Sequence, residues 1–113
     1  MLIYARIITM YMANIKLYKD KTKILEKDGI CENNICKFDN IIYDSDNFVL
    51  TILTDDYRII IDFKNINAKV ELIGVSSLKL NLEVINMNID KKIHKFVYVI
   101  ESDEATNYLE IIL

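Results

Sequence analysis

Short runs of β-branched and aromatic residues, broken at nearly regular intervals by clusters of Asp, Asn and Ser, fill this chain almost from end to end. That pattern predicts an all-β antiparallel meander. The chain has no proline and only two glycines, Gly29 and Gly74. Its corners must therefore come from Asn and Asp, whose short side chains tolerate positive φ and hydrogen-bond to their own backbone. Folds of this kind carry function in a lumen, a rim or an exposed edge, which tertiary structure builds and no local motif announces.

Residues 3–18 read as a first strand and residues 19–23 as a turn; a helical period over residues 16–27 is the weaker alternative. A second strand over residues 24–32 contains Gly29, where an interior glycine predicts a bulge or a sharp bend. Asn33-Asn34 is a two-residue hairpin turn, since both residues accept the positive φ of type I′. It is preferred to Asp28-Gly29 because it leaves longer strands on both sides, with residues 35–43 returning. Asp44-Ser45-Asp46-Asn47 makes the next corner. Residues 48–54 and 57–63 form a hairpin around Asp55-Asp56, with Tyr57, Ile59, Ile61 and Phe63 on one face and Arg58, Ile60, Asp62 and Lys64 on the other. A strand over residues 68–75 follows Asn65-Ile66-Asn67.

Leu78, Leu80, Leu82 and Val84 then alternate with polar residues until the apolar phase moves to Ile85, Met87 and Ile89. A one-residue change of phase predicts a bulge near Val84-Ile85. Strands over residues 93–101 and 107–113 complete a count of eight or nine. An open sheet that wide would leave long edges free to aggregate, so closure into a barrel is expected.

Residues 95–101 (Lys-Phe-Val-Tyr-Val-Ile-Glu) and 108–113 (Tyr-Leu-Glu-Ile-Ile-Leu), preceded by Leu-Lys-Leu-Asn-Leu-Glu-Val at 78–84, carry a resemblance over roughly residues 48–113. This part resembles a small calycin-like family of unknown function from low-GC bacteria, whose members form lipocalin-like barrels. The resemblance implies a calycin/lipocalin-like barrel and no particular activity. Heavy use of Ile, Lys and Asn fits an AT-rich genome, and the resemblance implies a bacterial one.

At 113 residues the chain is the size of one domain, 1–113, long enough to bury about two-thirds of its unfolded surface around one core. A net charge of −3 with scattered Lys and acidic residues offers no basic surface for phosphate backbones, so nucleic acid is not an expected partner. The apolar stretch over residues 1–18 is interrupted by Arg6, Asn14 and Lys16. It falls short of the ~20 apolar residues a membrane helix needs. The expectation is no membrane span and a cytoplasmic protein. Met12 is an alternative start to Met1.

Few residues invite chemistry. With Asn33-Asn34 as the turn, Cys31 faces Cys36 in a non-hydrogen-bonded pair, where Cα atoms approach to about 4.5 Å. In a reducing cytosol two separate, half-buried thiols are the favoured state, and the alternative is a redox pair closed as a disulfide. Zinc wants four N or S ligands, and the one histidine, His94, is distant in sequence, so no metal or other cofactor is expected. His94, at a strand start beside Lys92 and Lys95, is expected to be solvated or capping, with no nucleophile placed beside it. The acidic corners lack the twelve-residue loop of a calcium site and are explained by turn chemistry.

Aromatic residues are expected mostly in the core. Tyr57, Arg58, Phe63, Phe96 and Tyr98 are the candidates for lining a pocket, with Arg58 as a surface charge or anion clamp. The expected function is a non-enzymatic barrel domain that binds a small apolar ligand or a protein partner. The alternative is a structural subunit that forms a homo-oligomer by burying an edge strand, either residues 1–18 or residues 107–113.

Overall fold

Tight corners built from Asp and Asn set the strand boundaries. The computed structural model describes residues 10–72 and 76–113. They form β1 (Met10–Lys19), β2 (Thr22–Glu32), β3 (Ile35–Phe38), β4 (Ile41–Asp44), β5 (Val49–Leu53), β6 (Tyr57–Asp62), β7 (Asn67–Leu72), β8 (Ser76–Leu80), β9 (Leu82–Ile89), β10 (Ile93–Ile100) and β11 (Asn107–Ile112). Asn33 and Asn34 adopt φ of 51° and 71°, and Asp20 and Lys21 adopt 46° and 71°, so both pairs make two-residue turns with left-handed backbone. The broad turn expected over residues 19–23 thus contracts to two residues.

Two longer corners use one device. Asp44 accepts hydrogen bonds from the Asn47 backbone N–H (3.2 Å) and side-chain amide (2.9 Å), and Asp62 does the same for Asn65 (3.0 and 2.9 Å). The next residue turns left-handed in each, Phe48 at φ 57° and Ile66 at 55°. An Asp-x-x-Asn loop followed by a positive-φ residue is therefore used twice.

The sheet holds eleven strands among the described residues, in the order β8-β7-β6-β5-β4-β3-β2-β1-β11-β10-β9. Eight or nine were expected, and two interruptions account for the excess. Asp39 (φ 54°) and Asn40 form a hairpin turn inside the run read as one strand over residues 35–43, pairing Phe38 with Ile41. Asn81 divides the stretch from residue 78 to residue 89 into β8 and β9. The bulge expected near Val84-Ile85 is present: Val97 faces Asn86 and Tyr98 faces Val84, leaving Ile85 as the extra residue.

Every ladder joins consecutive strands except β1 with β11, where Lys19 faces Asn107 and Asn14 faces Ile112. This pairing curls the ribbon into a nearly closed antiparallel barrel. It also places most of the two expected edges inside the sheet: residues 14–19 pair with residues 107–112, while residues 10–13 keep a partner only on the β2 side. Residues 1–9 and 73–75, on which parts of the first strand and of the 68–75 strand were read, lie outside the described residues. Met12 falls within β1, opposite Ile30.

The strand order ends at β8 and β9, each of which has one neighbour. All neighbours being antiparallel, these two occupy odd positions in the order and run in the same direction, and one residue cannot reverse the chain between them. They are one extended segment whose first half pairs with β7 and whose second half pairs with β10. Glu101 fixes the junction: its backbone N–H donates to the Asn81 carbonyl (2.9 Å), and its carboxylate accepts from the Asn81 N–H (2.9 Å).

Gly29 is not at a bulge; the β1–β2 register shift lies at Leu17/Tyr18 instead. A Cβ at residue 29 would meet the Lys37 carbonyl oxygen and lie 2.5 Å from Phe38 Cδ1. The glycine allows Phe38 to cross β2 and enter the core. Phe38, Tyr43, Leu50, Ile61, Phe63, Phe96, Leu109 and Ile111 fill that core with almost no exposure. Each large apolar side chain so buried contributes about 1.5–3 kcal/mol.

Candidate functional site

Alternation along β10 aims His94, Phe96 and Tyr98 inward and Lys95, Val97 and Val99 outward. Across the interior Phe63 stacks on Phe96, with centroids 4.0 Å apart and planes 17° from parallel, and meets Tyr98 edge-on at 5.1 Å. Three of the five pocket candidates are thus brought together, and they fill the space by packing on one another. Burial pushes the Tyr98 hydroxyl well above its ordinary titration range.

Tyr57 and Arg58 stand elsewhere. They open β6 and Phe63 follows its end, a separation of about 20 Å at ~3.3 Å per residue. Arg58 faces Glu71 on β7. Its Nε donates to Glu71 Oε2 at 2.8 Å and its Nη2 donates to the same oxygen, while Lys69 reaches Oε1 at 3.0 Å. Hydrogen bonds from Arg58 and Lys69 hold the Glu71 carboxyl below its ordinary range. The guanidinium is thus paired with its cross-strand partner on the surface.

His94 corrects the expectation of a solvated side chain, being 5 % exposed. Tyr43 on β4 places its hydroxyl 2.6 Å from His94 Nδ1. Phe48 meets the imidazole edge-on at 5.6 Å. Burial lowers the His94 pKa, partly opposed by a backbone hydrogen bond to Asp90. The neutral ring bonds the hydroxyl through Nδ1 in either sense, accepting from the Tyr43 O–H when its proton sits on Nε2 and donating to the Tyr43 oxygen when it sits on Nδ1. Sequence gave no signal for this pair, because its members are 51 positions apart.

Around this pair the barrel mouth opens into a cleft of about 510 Å³, bordered by Tyr11, Phe48, Ile89, His94 and Leu113. A second cleft, of about 540 Å³, lies over the outer face of β1, β11 and β10, between Tyr18, Tyr108 and Val97, beside the Asp20-Lys21 turn. Tyr18 and Tyr108 meet edge-on at 5.7 Å.

Cys31 and Cys36 are opposite each other on β2 and β3, both fully buried, with Cα atoms 3.9 Å apart. Their sulfurs are joined as a disulfide, so the pair is closed where separate thiols were the favoured expectation. The hairpin turn creates the juxtaposition, and Glu32–Ile35 pairing sets its register.

β9 carries three exposed large apolar side chains, more than any other strand among the described residues. Ile85, Met87 and Ile89 are 55 %, 43 % and 38 % exposed, although Met87 and Ile89 lie opposite the buried Phe96 and His94. Its inward side is uncovered where the barrel stays open. Leu78 on β8 is also exposed, but Lys79 beside it protects that edge with charge. Among the described residues no cluster of His, Cys, Asp and Glu can hold a metal ion, and no helix is long and apolar enough to cross a membrane.

The class these features define is an all-β, nearly closed antiparallel barrel with an exposed apolar edge. Comparison with protein-family models, with curated proteins and with solved structures finds no match to the chain.

Proposed function

We propose that this protein is a non-enzymatic interaction domain that binds a protein partner by adding a strand to β9. One observation carries this reading: β9 ends the hydrogen-bonded order of the sheet while exposing Ile85, Met87 and Ile89. An edge strand with unpaired N–H and C=O groups is a template for β-augmentation, in which backbone bonds supply affinity and side chains supply specificity. A non-enzymatic role is supported by His94, whose Nδ1 is engaged by Tyr43 and whose ring is buried. The calycin-like kinship implied by the C-terminal strands belongs to the same proposal, supported by the up-and-down strand order. So does cytoplasmic residence, supported by the polar interruptions of residues 1–18.

Site-specific photo-crosslinking tests the reading. A photoreactive phenylalanine analogue at residue 87, in cells expressing the protein, should yield discrete adducts. The same group at Ile30, exposed on β2 but paired on both sides with Met12 and Lys37, should not. Adducts of equal yield at both positions, or none at residue 87, overturn it.

A small apolar ligand is the second reading, and the outer cleft between Tyr18, Tyr108 and Val97 favours it. Its size falls within the range of ligand pockets. Native mass spectrometry of the purified protein should then show a bound mass that Tyr108→Ala releases.

A further inference from the structure

The exposed part of β9 reads the same in both directions: Ile85-Asn86-Met87-Asn88-Ile89. We infer that the partner added to β9 is the β9 of a second copy of this chain, paired antiparallel about a two-fold axis at Met87. The inference rests on the strand-pairing reading above and names its occupant.

Symmetry supplies the first argument. A two-fold interface requires a surface complementary to itself. In antiparallel pairing about Met87, Met87 meets the Met87 of the second copy, Asn86 meets its Asn88, and Ile89 meets its Ile85. Apolar side chains face apolar ones, and amides face amides that can hydrogen-bond. Slipping the register by one residue would set Met87 against Asn88 and place the apolar side of one strand beside the polar side of the other.

Backbone direction supplies the second. The Asp90 N–H donates to the Ile93 carbonyl at 2.9 Å, which makes Asp90 and Ile93 a hydrogen-bonded pair. Pairs alternate along an antiparallel ladder, so Ile89 and Met87 direct their N–H and C=O groups away from β10, toward the free edge. Met87 and its symmetry mate can then exchange two backbone hydrogen bonds at the axis.

Charge and shape supply the third. Natural edges are commonly guarded by Lys, Pro or inward charges, yet residues 84–89 carry no charge and no proline. Self-pairing therefore meets no like-charge repulsion. The bulge at Ile85 ends the regular ladder at one side and the Lys91-Lys92 turn ends it at the other. The overlap is thus confined to five residues, and the dimer closes without growing into a filament. An interface this short sits at the small, weak end of the size range, with affinity on the order of micromolar.

Sedimentation velocity on the full chain, from micromolar to about 0.1 mM, tests the inference. The wild type should pass from monomer to dimer. Met87→Lys and Met87→Glu should each weaken dimerisation more than about tenfold, because like charges meet across the axis. An equimolar mixture of the two should restore a heterodimer. Met87→Leu should dimerise like the wild type, and unchanged far-UV circular dichroism should show that the charged variants keep the barrel. A wild type that stays monomeric, a dimer insensitive to both charged variants, or a mixture that fails to reassociate would each overturn self-pairing. The broader reading is separable from this one: a residue-87 photo-adduct with a different protein would preserve the interaction edge while removing the homodimer.

Discussion

The Tyr43 hydroxyl lies 2.6 Å from His94 Nδ1 in the core, joining β4 to β10 across the barrel interior. This bond pairs the buried Tyr43 hydroxyl with His94 Nδ1. Tyr43→Phe should cost about 1–3 kcal/mol, since it leaves a buried ring nitrogen without its partner. Chemical denaturation should show the loss. A variant as stable as the wild type would mean that Nδ1 is satisfied in another way.

His94 should also set a pH dependence. Its folded pKa lies below the ordinary 6.5 because burial disfavours the imidazolium. The unfolded chain therefore takes up a proton first as pH falls, so this contribution is complete above about 6.5 and is lost as pH falls from there through the lowered folded pKa. Imidazole chemical shifts followed by NMR should titrate below 6.5, and the Tm should decline over the same window. Titration at or above 6.5 would contradict the buried neutral ring.

Gly29→Ala should be strongly destabilising, by about 2 kcal/mol or more, because the added methyl meets the Lys37 carbonyl and the Phe38 ring. Gly29→Ala combined with Phe38→Leu should recover only part of the loss, since the backbone oxygen cannot move aside. A thermal melt of each variant distinguishes these outcomes.

Ile66→Asn should stabilise the protein by about 1 kcal/mol. Ile66 is a β-branched residue at φ 55° and is 57 % exposed, so it bears left-handed strain with little burial in return. Asn tolerates that conformation far better. An increase in Tm is the expected readout.

Reducing the Cys31–Cys36 bond should lower stability by about 2 kcal/mol on a chain-entropy estimate for so short a loop. Both sulfurs are buried, so reduction should be slow in the native protein and quick once denaturant is added. Thiol labelling over time measures both rates. Rapid labelling without denaturant would show that the pair is accessible.

Local chemistry made much of this ribbon legible. Asn33-Asn34 fixed the Cys31–Cys36 register, Asp55-Asp56 marked a hairpin, and the phase change after Val84 marked a bulge, because each signal lies within a few residues of its effect. Asp39-Asn40 was missed: a turn of two residues inside an apolar run leaves both flanking strands looking like one. The break at Asn81 was missed for a related reason, since both halves run the same way and only their partners change.

The candidate site was far less readable. Phe63, Phe96 and Tyr98 meet, but Tyr57 and Arg58 do not join them, because position along a strand decides depth in the barrel and alternation reports only the face. The burial of His94 depends on Tyr43, which no local pattern connects to it. One remote pairing, β1 with β11, makes β8 and β9 the ends of the strand order and covers most of the two terminal strands.

That pairing has a consequence for biosynthesis. As the chain emerges from its N-terminal end, each new strand finds its neighbour just behind it, whereas one side of β1 must wait until residues 107–112 have been made. The strands from β2 to β10 are thus translated while β1 keeps an open, sticky border, and non-local closure of this kind is the slow event in folding. The nascent protein is most prone to misassociate just before β11 emerges.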